Sequence, residues 1–143
     1  MLRMPALEVP PQQNQPIKTI LIVEDDFSIR EALREVLEAE DYHVVTAQNG
    51  QEGLLKIRDV PKPCLVLLDM IMPIMGGREF LDQVLKDSIL APIPVLFVSA
   101  TATDKDIHGA AGLVKKPVDI DLLLKLVAHY AGKATIDTQD LKS

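Results

Sequence analysis

The sequence predicts an α/β fold, in which helices cover both faces of a doubly wound, five-stranded parallel sheet in a three-layer arrangement. Two observations predict it: five short apolar segments recur along the chain, and a helical pattern follows each of them. This alternation is typical of parallel sheets with right-handed crossovers. The chain has 143 residues, of which 48% are hydrophobic, so it is long enough for one domain with a substantial core.

The predicted strands are short apolar runs: IKTILIV (17–23), YHVVTA (42–47), CLVLLD (64–69), PVLFVSA (94–100) and GLVK (112–115). The predicted helices have apolar residues at helical spacing: a first one ending near residue 40, NGQEGLLKIRD (49–59), GREFLDQVLKD (77–87), a weak one in TDKDIHGAA (103–111), and VDIDLLLKLVAHYAG (118–132). Asn49 and Asp119 are predicted N-caps, and Glu52 gives the second helix a start that resembles a capping box. Gly132 is predicted to end the last helix.

The two ends of the chain differ in composition from the middle. Residues 1–16 contain four prolines and three glutamines without a sustained period, which predicts a flexible N-terminal arm. We expect the folded domain over residues 17–132 and a polar C-terminal tail over residues 133–143.

Charge and cysteine content exclude several classes of protein. A formal net charge of -6 argues against direct binding of nucleic acid, which requires a basic face. The single cysteine, Cys64, excludes an internal disulfide framework and suits the reducing cytoplasm. No apolar run approaches the roughly 20 residues of a membrane-spanning helix. We therefore expect a cytoplasmic protein without a membrane partner.

Polar side chains follow the predicted strands where a doubly wound sheet places its functional site, outside the carboxyl ends of the strands. They are Glu24, Asp25, Asp69, Ser99 and Lys116. Three neighbouring carboxylates repel one another unless a cation lies among them, and all-oxygen ligands favour Mg²⁺ or Mn²⁺. With an ammonium and a hydroxyl nearby, this arrangement is typical of phosphoryl transfer, with Asp69 as the nucleophile.

Each of these residues also has a plainer interpretation. Glu24 and Asp25 can cap the following helix, Lys116 can be a solvated surface charge, and strand ends often carry a capping acid such as Asp69. Taken singly, these interpretations compete well. The joint occurrence at four strand ends favours a functional site.

Four separated motifs in this order carry a family resemblance: ILIVEDD, LVLLDMIMPIMGG, VLFVSA and VKKPVD. Together they resemble the receiver domain of response regulators in two-component signalling. The resemblance implies a flavodoxin-like sheet with strand order 2-1-3-4-5. It also implies a phosphoryl group received from a sensor histidine kinase or a histidine phosphotransfer protein, and binding of a downstream protein that the sequence does not name.

The resemblance assigns roles to the matching residues: the phosphoacceptor Asp69, the metal ligands Glu24, Asp25, Asp69 and the backbone carbonyl of Ile71, and the phosphoryl-binding Ser99 and Lys116. A register one residue later, with Asp25 and Asp26 as the acid pair, is the less favoured alternative. The resemblance further implies that Pro73 and Gly77 shape the loop after Asp69, and that the bond before Pro117 is cis.

Two departures from the family pattern concern the output of the signal. Leu113 stands where the family usually has the aromatic residue that moves inward on phosphorylation. The chain between Ser99 and Lys116 is also shorter than usual by about five residues, which is more than one helical turn. The weak helix at 103–111 is therefore expected to be a stunted helix or a loop.

The last helix carries apolar residues around more than one face: Leu122, Leu123, Leu124, Leu126 and Val127. Two interpretations remain open. One is a homodimer or partner surface formed by the fourth and fifth helices. The other is deeper burial of the last helix in the space that a shortened fourth helix leaves.

Three functional hypotheses follow. The first is a phosphorylation-dependent receiver that is not an enzyme, except that it catalyses its own aspartyl phosphorylation and dephosphorylation. The second is an interaction module that acts independently of phosphorylation, which Leu113 and the short fourth helix favour. The third is a phosphatase of the haloacid-dehalogenase type, but Ile71 stands where that class needs a second aspartate. The polar end of the chain predicts a single domain, or an excised one, without a DNA-binding output domain.

Overall fold

The computed structural model describes residues 17–59 and 63–133, so the predicted N-terminal arm and nearly all of the C-terminal tail lie outside the described residues. The strands are β1 (Thr19–Val23), β2 (His43–Ala47), β3 (Leu65–Leu68), β4 (Val95–Ser99) and β5 (Gly112–Lys115). The helices are α1 (Phe27–Ala39), α2 (Gly50–Asp59), α3 (Gly77–Lys86) and α4 (Ile120–Ala131). None of these four helices combines the length and the apolar character needed to cross a bilayer.

The five strands form one parallel sheet in the order β2-β1-β3-β4-β5, which confirms the predicted fold class and strand order. The register aligns the carboxyl ends of the central strands, because Val23 pairs with both Ala47 and Leu68. Residues that follow these strands therefore emerge at one edge of the sheet.

Apolar side chains bury both faces of the sheet. On one face, α2 and α3 pack over alternate strand residues, with Phe80 and Phe97 fully buried between them. On the other face, α1 and α4 pack through Leu37 and Leu123, which are also fully buried. Because both faces are covered, β1, β3 and β4 are buried along their whole length, as expected for a parallel sheet.

Side-chain caps begin α2 and α4, as the sequence predicted. The Asn49 Oδ1 accepts from the Glu52 amide at 2.9 Å, and the Asp119 Oδ1 accepts from the Leu122 amide at 3.1 Å. At the other end of α4, Gly132 takes a φ of 80°, a left-handed conformation that glycine adopts without steric cost. These contacts fix where the helices start and stop relative to the sheet edge.

No helix forms over residues 103–111, so the weak helix predicted there is wrong and the loop alternative is correct. Twelve residues separate the end of β4 from the start of β5, and they must cross the sheet from one edge to the other. Turns use most of this length: the Asp106 amide donates to the Thr103 carbonyl, and the Ala110 amide donates to the Ile107 carbonyl. We call residues 100–111 the β4–β5 loop.

The helix α4 is the last helix of the sequence prediction, since no helix forms between β4 and β5. Its apolar residues divide between the core and the surface. Leu123 and Val127 are fully buried, and Leu124 and Leu126 pack partly against the same cluster. Leu122 remains 46% exposed. The helix thus buries one face, while both the deeper burial and a homodimer through its exposed part stay predictions.

Candidate functional site

The loop after β1 brings two acidic side chains to the sheet edge and directs a third to the following helix. Glu24 is buried, and its amide donates to the Ala47 carbonyl at 3.0 Å, so it continues the strand ladder. Asp25 is exposed at the edge. Asp26 is the N-cap of α1, where its Oδ1 accepts from the Ile29 amide at 3.0 Å. Asp26 is therefore engaged in capping α1, whereas Glu24 and Asp25 lie at the carboxyl end of β3.

Asp69 follows β3 and lies beside these two acids. Its amide donates to the Val23 carbonyl at 2.9 Å, and the residue is 7% exposed. Glu24, Asp25 and Asp69 each offer a carboxylate oxygen, and these oxygens lie within 4.8 Å of one another. The strand register therefore assembles the acidic cluster that the sequence predicts.

The loop from β3 to α3 passes directly over the backbone of Asp69. The Gly77 amide donates to the Met70 carbonyl at 2.9 Å, and a Cβ on Gly77 would collide with the Asp69 carbonyl oxygen. Ile71 lies in this loop with 67% of its surface exposed. The role that the resemblance implies for Ile71 belongs to its backbone carbonyl and not to this exposed side chain.

Lys116 supplies the positive charge of the site. Its Nζ lies 2.7 Å from Glu24 Oε1 and 3.5 Å from Asp69 Oδ1, and its side chain is 17% exposed. The Lys116–Pro117 peptide bond is cis, as the resemblance implied. In contrast, Lys115 is exposed, so the structure brings only the second lysine of the pair to the acidic cluster.

Ser99 ends β4 and is 2% exposed. Its Oγ accepts from the Thr101 amide at 3.2 Å and from the Ala102 amide at 3.1 Å. The Lys116 amide donates to the Ser99 carbonyl at 3.0 Å, so the two residues leave neighbouring strands side by side. The hydroxyl is thus held by the β4–β5 loop rather than by the carboxylates.

Arg30 is a residue of this site that the sequence reasoning missed. It is 8% exposed, and its Nη1 donates to the Glu24 carbonyl at 2.9 Å and to the Asp25 carbonyl at 3.4 Å. Its guanidinium also lies 5.4 Å from the ring centroid of Phe27. A signal was present: Arg30 shares a helix face with the buried Leu33 and Leu37, and a charged residue at a core-facing position calls for a specific partner.

The electrostatics of the cluster follow from its burial and its excess of negative charge. Burial, together with the hydrogen bond and the charge of Glu24, raises the pKa of Asp69 to about 7 against the opposing effect of Lys116. Burial alone would lower the pKa of Lys116, but Glu24 and Asp69 outweigh it and the pKa is raised. Lys116 and Arg30 together carry fewer charges than the three acids, so the site is negative when all three acids are ionised.

This donor set fits a hard divalent cation. Carboxylate and carbonyl oxygens are the ligands that Mg²⁺ and Mn²⁺ accept, and a cation would relieve the repulsion that raises the pKa of Asp69. The geometry can therefore hold a metal ion beside a carboxylate that also has an ammonium and a hydroxyl on neighbouring strands.

Leu113, which stands where the family usually has an aromatic residue, lies in β5 opposite Phe97. Its side chain is half-buried and packs, like Ile107 and Ala110 of the β4–β5 loop, against the core cluster that contains Phe97. A leucine in this setting is part of the core packing. The β4–β5 loop covers the sheet face beside it in place of a helix.

Comparisons with known proteins give a consistent result. The family model described as "Response regulator receiver domain" matches residues 20–128. Protein PilH of Pseudomonas aeruginosa is 34% identical over 113 residues, which cover 76% of this chain and 93% of that protein. "Probable transcriptional regulator ycf29" of Porphyra purpurea is 32% identical over 128 residues, which cover 86% of this chain but only 61% of that protein.

Solved structures agree with this family match. The response regulator TrrA of Thermotoga maritima, determined in complex with Mg²⁺-BeF, is 32% identical, with a TM-score of 0.72. The alignment covers 80% of this chain and 99% of TrrA.

Proposed function

Since this chain belongs to the family of response regulator receiver domains, we propose that it accepts a phosphoryl group on Asp69 and changes its partner binding in response. The donor is a sensor histidine kinase or a histidine phosphotransfer protein. The observation that carries the proposal is the cluster of three carboxylates, two of which contact Lys116: its Nζ lies 2.7 Å from Glu24 Oε1 and 3.5 Å from Asp69 Oδ1.

The transfer assigns one task to each residue. A carboxylate oxygen of Asp69 attacks phosphorus, a new P–O bond forms, and the P–N bond of the donor phosphohistidine breaks. The departing imidazole nitrogen takes a proton from solvent, and an acyl phosphate remains on Asp69. Lys116 pairs with a phosphoryl oxygen, and the Ser99 hydroxyl donates to another. The added charge, about two negative units, then biases the surrounding loops.

A divalent cation completes this site. Glu24, Asp25, Asp69 and the Ile71 carbonyl would hold Mg²⁺ or Mn²⁺, and the complex of TrrA with Mg²⁺-BeF supports a metal in this fold family. The cation supplies positive charge that ionises Asp69 and neutralises the phosphoryl oxygens. Without it, burial and the neighbouring Glu24 oppose ionisation of the nucleophile.

The chain acts as a signalling component of the cytoplasm and not as an enzyme on external substrates. It catalyses only its own phosphorylation and the hydrolysis of its own acyl phosphate. Ile71 offers no carboxylate for acid–base catalysis two residues after the nucleophile, which argues against a phosphatase. The proposed activity is that of the receiver domain itself.

A second candidate function is a receiver-like interaction module that acts independently of phosphorylation. Two features favour it: Leu113 stands where the family usually has the aromatic residue that moves on phosphorylation, and the β4–β5 loop stands where a fourth helix was expected. The buried ion pair between Lys116 and Glu24 favours the first candidate, since a module without phosphoryl chemistry gains nothing from burying these charges.

Intact mass measurement after incubation with acetyl phosphate and Mg²⁺ tests the proposal. We expect an adduct of one phosphoryl group that requires Mg²⁺ and is absent from Asp69→Ala. Asp25→Asn should raise the Mg²⁺ concentration needed for half-maximal phosphorylation, because it removes a candidate metal ligand. The matched variant Asp26→Asn should leave that concentration unchanged, because asparagine also caps α1. An unmodified wild-type protein that nevertheless binds Mg²⁺ would refute the switch and favour the phosphorylation-independent module.

A further inference from the structure

One arginine on α3 fastens the β4–β5 loop to that helix. The Arg78 Nη1 donates to the His108 carbonyl at 2.7 Å and to the Asp106 carbonyl at 3.3 Å. Its Nε and Nη2 donate to Asp82 Oδ1 at 3.1 and 2.8 Å, one helical turn away. An exposed ion pair of this kind contributes little stability by itself. Its effect here is to orient the guanidinium toward the loop carbonyls.

The loop is internally braced around these two carbonyls. Asp106 Oδ2 accepts from the Thr103 amide at 2.7 Å and from the Thr103 hydroxyl at 3.0 Å. Gly109 follows with a φ of 89°, and a Cβ there would lie 2.7 Å from Leu85 Cδ1 of α3. The segment between residues 103 and 109 therefore sits on α3 as one unit.

The start of the same loop holds the hydroxyl of Ser99. A serine oxygen has two acceptor lone pairs and one hydrogen to donate. The Thr101 and Ala102 amides engage the acceptor side, which leaves the hydrogen available for a phosphoryl oxygen. Any displacement of Ser99 toward Asp69 must therefore pull on residues 101 and 102.

We infer that Arg78 is a positioning residue for the switch, and that the β4–β5 loop is the element that responds to phosphorylation in this chain. Arg78 fixes the far end of the loop on α3, while Ser99 holds its near end at the phosphorylation site. A displacement of Ser99 therefore changes the contact that the loop makes with α3 through Arg78. This inference rests on the proposed function, because it needs the acyl phosphate at Asp69.

A response carried by the β4–β5 loop requires neither an aromatic residue at position 113 nor a helix between β4 and β5. Leu113 packs in the core and offers no polar group to a moving loop. The β4–β5 loop has no helix to reposition, but it contacts Ser99 at one end and α3 at the other. The response surface is accordingly formed by this loop and the neighbouring turns of α3.

Hydrogen exchange measured by mass spectrometry, with and without Mg²⁺ and beryllofluoride, tests the inference. Beryllofluoride serves as the phosphoryl mimic, and intact mass with acetyl phosphate establishes separately that Asp69 accepts a phosphoryl group. In the wild type, we expect the exchange rate of peptides spanning residues 100–111 to change by roughly fivefold, the factor associated with one hydrogen bond.

Substitution of Arg78 separates a positioning role from general stability. Arg78→Met should speed exchange of the loop in the resting protein and abolish the ligand-dependent difference, while Arg78→Lys should restore part of it through one carbonyl contact. Arg58→Met, on the exposed side of α2, should behave as the wild type. All exchange differences are normalised to the fraction of protein that carries the mimic.

The outcomes distinguish this inference from the proposed function. An adduct on Asp69 together with unchanged exchange over residues 100–111 would overturn the inference and leave the proposed function intact. The same would follow from an undiminished difference in Arg78→Met. No phosphoryl adduct in the wild type would overturn both.

Discussion

Asp69 is the residue whose charge depends most on its surroundings. It is almost fully buried, and it shares the strand edge with two further carboxylates and one lysine. Burial and the neighbouring Glu24 raise its pKa from 3.8 to about 7, so ionisation at neutral pH is costly in the metal-free protein. Binding of a cation beside Asp69 should therefore stabilise the folded protein.

The stability of the metal-free protein should therefore fall as pH rises through 7. A carboxyl with a raised pKa in the folded state contributes stability below its unfolded pKa of 3.8, and this contribution is lost as pH rises through about 7. We expect Asp69→Asn to raise the free energy of unfolding at pH 8 on the order of 2 kcal/mol. The gain should shrink at pH 5.

Urea unfolding at the two pH values, in the presence of a chelator, measures this difference. Asp121→Asn is the matched control, because Asp121 is exposed in the first turn of α4. Equal stability of Asp69→Asn and the wild type at pH 8 would contradict the account of the acidic cluster.

Arg30 should act on the metal site through the backbone. Its Nη1 holds the Glu24 carbonyl at 2.9 Å, so its loss frees the segment that carries two of the three acids. We expect Arg30→Met to weaken Mg²⁺ binding by about tenfold, as supporting residues of metal sites do. Isothermal titration calorimetry measures the affinity.

Arg34→Met is the control for this substitution. Arg34 lies one turn along α1 and pairs on the surface with Glu31, so its loss should leave the affinity for Mg²⁺ unchanged. Arg30→Lys provides a better-folded variant with a single donor group. Full Mg²⁺ affinity in a folded Arg30→Met would show that Arg30 has no positioning role.

At the scale of elements, the loop between β3 and α3 depends on one glycine. A Cβ at Gly77 would collide with the Asp69 carbonyl, whereas the nearest atom to a Cβ at Gly76 is the Met70 carbonyl oxygen at 3.2 Å. We expect Gly77→Ala to lower the free energy of unfolding by about 1–3 kcal/mol, the usual cost of overpacking, and Gly76→Ala to cost much less. Thermal unfolding compares the two; equal costs would contradict the close approach of this loop.

Most elements could be predicted from local signals. The five apolar runs marked the strands, and Asn49, Asp119 and Gly132 marked helix ends because caps are encoded within a few residues. The sequence could not decide between a stunted helix and a loop at residues 103–111. The deciding contacts, above all Arg78 with the His108 carbonyl, join residues 30 positions apart.

The candidate site was predictable in part for the same reason. Glu24, Asp25 and Asp69 were placed together because the carboxyl ends of parallel strands meet at one edge. Arg30 and Arg78 were not identified, because an arginine pattern does not reveal which carbonyls the guanidinium reaches. Motifs at strand ends carry positional information, whereas long side chains acquire their partners only in the folded protein.

At the scale of the whole molecule, metal binding should appear as added stability. A ligand that binds only the folded state stabilises it by about 2.7 kcal/mol at roughly 100 times its dissociation constant. We expect Mg²⁺ to raise the unfolding midpoint of the wild type, and a chelator to reverse the shift. In Asp69→Ala, which lacks one of the three carboxylates, the shift should be much smaller.

The same scale includes the association of two chains. The exposed part of α4, with Leu122 46% and Ile120 39% exposed, is the surface on which the predicted homodimer would form. Light scattering with and without beryllofluoride tests it. A change of mass that Leu122→Ser abolishes would support the dimer, and a constant monomer mass would remove it.

Borohydride trapping identifies the aspartate that accepts the phosphoryl group, which we propose to be Asp69. Borohydride reduces an acyl phosphate on aspartate to homoserine, which peptide mapping locates by mass. After incubation with acetyl phosphate and Mg²⁺, we expect homoserine at position 69 and at no other aspartate. Homoserine at Asp25 or Asp26 instead, or none at position 69 while Mg²⁺ is bound, would contradict this proposal.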